Sequence, residues 1–222
     1  MRFTTLKRSL IGGSAIPASM INIFENDYGI QIIHVWGMTE LSPLGTVYKL
    51  KGKHEKLPQE QQRKLLEKQG RVVTGIDMKI VNDEGRELPL DGKTFDTLMV
   101  WGHWVVERYF RAGLSALEDD WFHTGDMATI NPDGFMQITD RSKDVVKSGG
   151  EWISSVEIGN IALEHPAAKD AACIACYHLK WDERLLLLVV GQPEQHVTRE
   201  ELLKFFEGKC VKWCILNLCS LP

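Results

Sequence analysis

The sequence WGMTE at residues 36–40 decides the fold assignment, and it follows directly on the apolar run at residues 30–35. A short apolar run with β-branched residues predicts a buried strand. The pentapeptide alone also fits a plain strand end with a core Trp36 and a surface Glu40. Two further stretches favour a functional interpretation because they follow in fixed order, HTGD at residues 123–126 and then DRSKD at residues 140–144, which leads into SGGEW.

A glycine pair stands upstream of this series, in the sequence GGSA at residues 12–15, after the strand-like Leu10 and Ile11. Adjacent glycines without a Cβ let the backbone approach a flat ligand closely. Taken alone the pair is weak evidence, since most such pairs are turns. Its position before residues 36–40 gives it weight.

Composition limits the class of protein. The chain has 222 residues, of which 44% are hydrophobic and 25% charged, so it can bury a core of one domain or two small ones. The net charge is -4 without a sustained basic stripe, which argues against nucleic acid as a partner. The apolar run at residues 185–190 is far shorter than the ~20 residues of a membrane helix, so we expect no transmembrane segment and a cytoplasmic protein.

The first two-thirds of the chain change character once. Residues 17–28 have helical spacing with Pro17 in the first turn, and residues 30–35 form a strand, which predicts an α/β segment. From residue 71 to 139 the pattern is period-two strands broken by turn sequences at residues 82–85 and 131–134, which predicts a small β-rich subdomain.

After Lys143 the pattern is α+β, with a helix near residues 155–164, two strands and a second helix from Thr198. Ser154 with Glu157 predicts a capping box at the first helix, and an equivalent pair predicts one at the second. We place a domain boundary at Lys143, giving residues 1–142 and 143–222. Cys173 and Cys176 lie in what we interpret as a buried strand, where positions three apart face opposite sides, so a shared metal or disulfide is not expected.

Together these motifs resemble the adenylate-forming superfamily of acyl-CoA synthetases, peptide-synthetase adenylation domains and luciferases. The resemblance runs from Gly12 to about Trp213 and is greatest to bacterial fatty-acyl and methylmercaptopropionate-type CoA ligases. It implies a mixed α/β and α+β fold comprising the C-terminal portion of such an enzyme. The parts would be the end of the large AMP-binding domain with its β-rich subdomain, a hinge, and a small α+β domain.

The resemblance also assigns roles to individual residues. Trp36 would stack on adenine, Thr39 would hydrogen-bond a phosphate and Glu40 would help to hold Mg²⁺. Asp126 would accept both ribose hydroxyls, and Arg141 would contact ribose and phosphate. The remaining implied positions are the adenine- and acyl-pocket residues Gly13, Ser14 and Ala15, the motif glycine Gly37, the hinge Lys143, and the pantetheine-tunnel rim Gly149, Gly150 and Glu151.

The implied chemistry joins a small-molecule carboxylate to coenzyme A with ATP and Mg²⁺. The family's phosphate loop is expected upstream of Met1, and the family's lysine loop is expected beyond Gly208 and Lys209. We therefore expect this chain alone not to complete the synthesis. The alternatives are a non-catalytic module that binds AMP or CoA, and one half of a split enzyme with a complementing N-terminal half.

Overall fold

The computed structural model describes residues 3–142, 145–148, 151–180, 182–193, 198–210 and 217–221. The chain forms two compact units, Met1–Ile138 and Thr139–Pro222. The domain boundary predicted at Lys143 falls on a residue outside the described ranges, and it stays a prediction.

The first unit opens with a four-stranded sheet in the order β1-β2-β3-β4. Its strands are β1 (Arg8–Ile11), β2 (Gln31–Gly37), β3 (Leu44–Val47) and β4 (Arg71–Val72). Strands β1 and β2 are parallel, and the other pairs are antiparallel. The crossover between the parallel strands contains the helix α1 (Ala18–Asn22), which follows Pro17 and continues as a π-helical turn, Ile23–Asp27. The helix α2 (Gln59–Leu66) begins after Pro58, and Leu66 joins Ile16, Ile21 and Ile32 in a small core. The predicted strand and helix of this segment are therefore present.

The second sheet is the predicted β-rich subdomain. It contains β5 (Ile76–Val81), β6 (Phe95–Gly102), β7 (Leu117–Glu118), β8 (Trp121–Ile130) and β9 (Met136–Arg141), with β9 paired to β8. Asn131 makes the turn after β8, because its side-chain oxygen accepts hydrogen bonds from the backbone of Asp133 and Phe135. The core of this sheet includes Leu98, Val100 and Ile130.

The second unit is α+β. Its strands are β10 (Val146–Ser148), β11 (Glu151–Ile153), β12 (Ala168–His178), β13 (Asp182–Gly191) and β14 (Asn217–Leu221). Its helices are α3 (Ser155–Leu163) and α4 (Arg199–Phe206). The predicted box at α4 is complete, because Thr198 and Glu201 exchange backbone and side-chain hydrogen bonds. At α3, Ser154 accepts from the backbone of Glu157. Among the described residues, no helix is long and apolar enough to cross a membrane.

The expectation of a buried strand around the two cysteines is wrong. Cys173 is buried in the core of the second unit, but most other side chains of β12, including Cys176, are half-buried or exposed. The exposure of these side chains results from the position of β12, which is an outer strand of its sheet with α3 packed against it. In the part of the chain that the structure describes, no group of three or more potential metal-binding side chains is present.

His34 connects the first sheet to the end of α2. Its side chain is fully buried, and its Nδ1 lies 3.3 Å from the carbonyl oxygen of Leu66. The other ring nitrogen, Nε2, has no hydrogen-bond partner among the described residues. Burial lowers the pKa of His34 below its ordinary value of 6.5, although hydrogen bonding to backbone groups such as that of Leu66 opposes the shift. The imidazole is therefore neutral in the folded chain at neutral pH.

This burial predicts a pH dependence of stability. The unfolded chain binds a proton at His34 near pH 6.5, whereas the folded chain resists it, so the free energy of unfolding falls as the pH decreases through about 6.5. Thermal unfolding should show this slope in the wild type and a smaller slope in His34→Gln. The exposed His103 provides the control variant His103→Gln, which should keep the wild-type slope. Equal slopes in all three proteins would contradict the assignment.

Candidate functional site

Two of the predicted segments meet at the carboxyl end of β1 and β2. Because these strands are parallel and adjacent, the residues that follow them lie at one edge of the sheet. The contact is close, since a Cβ at Gly12 would stand 2.7 Å from the carbonyl oxygen of Val35. Gly13 has a φ of 94°, a conformation that favours glycine. Ser14 is exposed and Ala15 half-buried on the same segment.

Gly37 is required by its surroundings. A Cβ at this position would lie 1.9 Å from the carbonyl oxygen of Pro43, so no other residue fits without moving the backbone. A short 3-10 helix, Thr39–Leu41, follows and turns the chain. This turn exposes Thr39 and leaves Glu40 half-buried. The aromatic-glycine-threonine-glutamate order thus gives a buried ring and two oxygen-bearing side chains within one turn.

The structure brings Trp36 and Asp126 together. The indole Nε1 of Trp36 donates a hydrogen bond of 3.0 Å to Oδ2 of Asp126, across 90 residues of sequence. Both side chains are buried, with 9% of Trp36 and 4% of Asp126 exposed. A buried carboxylate needs such donors, and a buried indole N–H needs an acceptor. The predicted adenine-stacking ring and the predicted ribose-binding carboxylate are therefore direct neighbours.

Thr124 fixes the irregular stretch of β8 that precedes Asp126. Its hydroxyl donates to the carbonyl oxygen of Leu98 at 2.8 Å and accepts from the backbone N–H of Asp126 at 3.1 Å. Gly125 between them has a φ of 73°. The threonine and glycine thus shape the backbone that presents the carboxylate.

Glu40 has a partner that the sequence motifs did not indicate. The hydroxyl of Tyr109 donates to Oε1 of Glu40 at 3.0 Å. Partial desolvation of the phenol and this hydrogen bond to Glu40 raise the pKa of Tyr109. Tyr109 lies in a loop 69 positions from Glu40, and no sequence pattern predicts a contact over that separation. Sequence reasoning therefore missed it.

The other predicted positions lie in the second unit or outside the described residues. Arg141 ends β9 with an exposed side chain. The backbone of Glu151 begins β11. Lys143, Gly149 and Gly150 lie outside the described residues.

Asp140, which precedes Arg141, is an anchor of the second unit. Its side chain is 2% exposed and accepts hydrogen bonds from the backbone N–H of Ser155 at 2.7 Å, from the Ser155 hydroxyl at 3.1 Å and from the backbone N–H of Arg141 at 2.9 Å. The hydroxyl of Ser154 also donates to the carbonyl oxygen of Thr139. The end of β9 is thereby tied to the first turn of α3.

Lys209 is engaged in packing. Its Nζ lies 2.7 Å from Oε2 of Glu164 and 3.7 Å from the centre of the Phe205 ring. These contacts tie the residues after α4 to the end of α3. They give this lysine a structural role, in keeping with its position before the expected lysine loop.

The sequence is similar to known proteins over nearly its whole length. The model of the AMP-binding enzyme family matches residues 2–110. The chain is 53% identical over 213 residues to a 3-methylmercaptopropionyl-CoA ligase of Ruegeria lacuscaerulensis, and 50% identical over 212 residues to a medium-chain-fatty-acid–CoA ligase of Ectopseudomonas oleovorans. These alignments cover 96% and 95% of this chain but 40% and 39% of the relatives.

Residues 2–110 of this chain belong to the AMP-binding enzyme family. The fold agrees, because the chain superimposes with a TM-score of 0.82 on an anthranilate CoA ligase at 22% identity, covering 97% of this chain and 41% of that one. An o-succinylbenzoate CoA synthetase of Bacillus subtilis in complex with ATP and magnesium gives a TM-score of 0.80 at 23% identity, with 98% and 43% covered. The predicted fold class and family are confirmed. The chain spans about 40% of the length of the family members it matches.

The contact between Trp36 and Asp126 predicts a stability effect. Trp36→Phe keeps an aromatic ring but removes the donor to a buried carboxylate, which should lower the free energy of unfolding by about 1–3 kcal/mol. Urea denaturation measures the change. Trp101→Phe is the control, because Trp101 is 40% exposed, and it should change the midpoint little. Equal losses of unfolding free energy in the two variants would show that the hydrogen bond does not contribute to stability.

Asp140 gives a second prediction in the other unit. Asp140→Ala leaves the first turn of α3 without its carboxylate acceptor, so we expect a loss of about 2–4 kcal/mol in urea denaturation. Asp170→Ala is the matched control, since its exposed carboxylate accepts from the adjacent backbone N–H of Ala171. A loss at Asp140 no greater than at Asp170 would refute the anchoring role.

Proposed function

We propose that this chain serves ATP-dependent acyl-CoA ligation, in which a carboxylate, ATP and coenzyme A yield acyl-CoA, AMP and pyrophosphate. The observation that supports the proposal most strongly is the contact of Trp36 with Asp126 beside the 12–15 segment. The names of the relatives at 50–53% identity point to the same reaction, with a fatty acid or a related small carboxylate as the substrate.

The first unit offers groups suited to the nucleotide. Asp126 would accept the ribose hydroxyls with the carboxylate that Trp36 and Thr124 orient. Thr39, exposed on its turn, would donate to a phosphate oxygen. Gly13, with no atom near the place of a Cβ, leaves room for close approach of a flat base to the backbone.

The donor set also fits Mg²⁺. In proteins Mg²⁺ is commonly bound by one or two carboxylates, with phosphate oxygens and water completing its shell. Glu40 supplies one carboxylate on an accessible turn, and the described residues do not form an all-protein cage. Bound Mg²⁺ would neutralise charge on the phosphates. The side chains positioned here would hold and orient the substrates rather than attack them, so their contribution is geometric and electrostatic.

The reaction we propose has two steps. The substrate carboxylate attacks the α-phosphorus of ATP and displaces pyrophosphate, and the thiol of coenzyme A then attacks the acyl carbon and displaces AMP. Arg141 would contact ribose and phosphate, Lys143 would act as a hinge between the steps, and Gly149, Gly150 and Glu151 would border the coenzyme A tunnel. Because the chain spans about 40% of its relatives, we also propose that these contacts do not suffice for synthesis without further polypeptide.

An alternative follows from the same coverage. The chain would then be a non-catalytic module for AMP or coenzyme A, or one half of a split enzyme that a complementing N-terminal half completes. The exposed side chains of Leu6 and Leu10, at and before the edge strand β1, are compatible with a polypeptide that packs there.

Nucleotide binding tests the proposal. Isothermal titration should detect AMP binding to the chain, and Asp126→Asn should weaken it by about 10–100-fold, because a charged acceptor of the ribose hydroxyls is lost. Thr39→Val, an exposed change, should weaken ATP binding more than adenosine binding. Asp170→Asn in the second unit is the control and should leave both affinities unchanged.

Activity separates the alternatives. We expect no thioester from the chain with ATP, Mg²⁺, a medium-chain fatty acid and coenzyme A, and we expect thioester when the upstream part of the Ectopseudomonas ligase is added. Thioester from the chain alone would contradict the need for a second half, whereas AMP binding with no complementation would favour the binding module. Failure to bind AMP, ATP or coenzyme A would refute the proposal.

A further inference from the structure

The turn that carries Glu40 is joined to the loop at residues 103–110 by a set of hydrogen bonds. The backbone N–H of Val106 donates to the carbonyl oxygen of Glu40 at 2.8 Å. The remaining bonds are Ser42 Oγ to the Trp104 carbonyl oxygen at 3.1 Å, Trp104 Nε1 to the Leu44 carbonyl oxygen at 3.4 Å, and Tyr109 Oη to Glu40 Oε1 at 3.0 Å. The loop and the turn therefore form one connected unit.

The loop has an anchor of its own. The ring of Trp104 packs onto Gly75, where a Cβ would stand 2.7 Å from Cζ3 of the indole. Gly75, which directly precedes β5, has a φ of 96°, and its lack of a Cβ permits this contact. Backbone bonds and Trp104 packing thus hold the loop, and the hydroxyl of Tyr109 is not needed to hold it. The phenol is presented to Glu40 by structure that would remain without the hydroxyl.

We propose that Tyr109 is a positioning residue for the divalent cation at Glu40, and that it limits this carboxylate to binding the cation through one oxygen. The inference rests on the proposed function, in which Glu40 helps to hold Mg²⁺. The O–H of Tyr109 points at Oε1, so a cation that shared both carboxylate oxygens would face the phenolic proton. Oε2 is then the oxygen offered to the cation.

This restriction selects between cations. Mg²⁺ requires near-octahedral geometry with short bonds to single oxygens, whereas Ca²⁺ has a larger and more flexible shell that accepts a bidentate carboxylate. A glutamate held by one oxygen favours Mg²⁺. Without the hydroxyl of Tyr109, Glu40 can rotate and offer both oxygens, which favours Ca²⁺ relative to Mg²⁺.

The test measures binding of α,β-methylene-ATP to the full chain by isothermal titration in Mg²⁺, in Ca²⁺ and without a divalent cation. Wild type should bind more tightly in Mg²⁺ than in Ca²⁺. Tyr109→Phe should reduce this preference by about fivefold, the effect of one hydrogen bond, with unchanged affinity in the absence of metal. Tyr28→Phe makes the same change at another partly exposed tyrosine and should keep the wild-type preference.

Glu40→Gln distinguishes the metal-binding role of Glu40 from the positioning role of Tyr109. It should abolish the difference between Mg²⁺ and Ca²⁺, and adding Tyr109→Phe should then have no further effect. If Glu40→Gln abolishes the preference but Tyr109→Phe retains it, the positioning role is refuted and the proposed function stands. If wild type shows no metal-dependent binding, or Glu40→Gln keeps it, the metal role of Glu40 fails and the inference fails with it.

Discussion

The hydrogen bond from Trp36 to Asp126 is the constraint on which the candidate site depends. Trp36 lies in β2 of the first sheet, and Asp126 lies in β8 of the second, so this buried contact joins the two sheets at the candidate site. The indole ring also fills the space above Gly45, where a Cβ would lie 2.5 Å from it. An aromatic ring without an N–H could fill this space, but it would leave the carboxylate without this donor. The choice of tryptophan therefore serves both packing and the orientation of an acidic group.

The glycines of the candidate site meet two different structural requirements. At Gly37 the backbone of Pro43 occupies the place of a side chain, so the requirement is steric. At Gly13 and Gly125 the space is open, but the backbone adopts positive φ, so the requirement is conformational. Gly13 and Gly37 lie at or just beyond the carboxyl ends of β1 and β2, where α/β sheets commonly bind ligands, whereas Gly125 lies within β8. The glycines at the edge of the first sheet are thus required by how the chain turns there.

Local features of the fold followed from sequence, and long-range ones did not. The apolar run at residues 30–35 predicted β2, and the pairing of Thr198 with Glu201 predicted the start of α4, because each depends on neighbours a few positions apart. The same reasoning misjudged β12 as buried, since hydrophobic content does not reveal that a strand lies at the outside of its sheet. The strand β14 was not expected either, because a short parallel partner of β13 has no local signature. Motifs predicted Trp36, Glu40 and Asp126 as candidate site residues but did not predict the contacts that orient them, because Asp126 is 90 positions from Trp36 and Tyr109 is 69 positions from Glu40.

The two units differ in what secures their functional segments. In the first unit, strand ends and glycine turns fix residues 12–15 and 36–40 by close backbone contact. In the second unit, Asp140 ties the end of β9 to α3 through side-chain hydrogen bonds, three residues before Lys143 in sequence. If Lys143 is the hinge, Asp140 and Ser155 stand on opposite sides of it in sequence, so any rotation there must either break this carboxylate anchor or leave Asp140 moving with α3. Hydrogen bonds of this kind cost about 1.5–3 kcal/mol each to lose when nothing replaces them. The anchor therefore resists separation of the end of β9 from the first turn of α3.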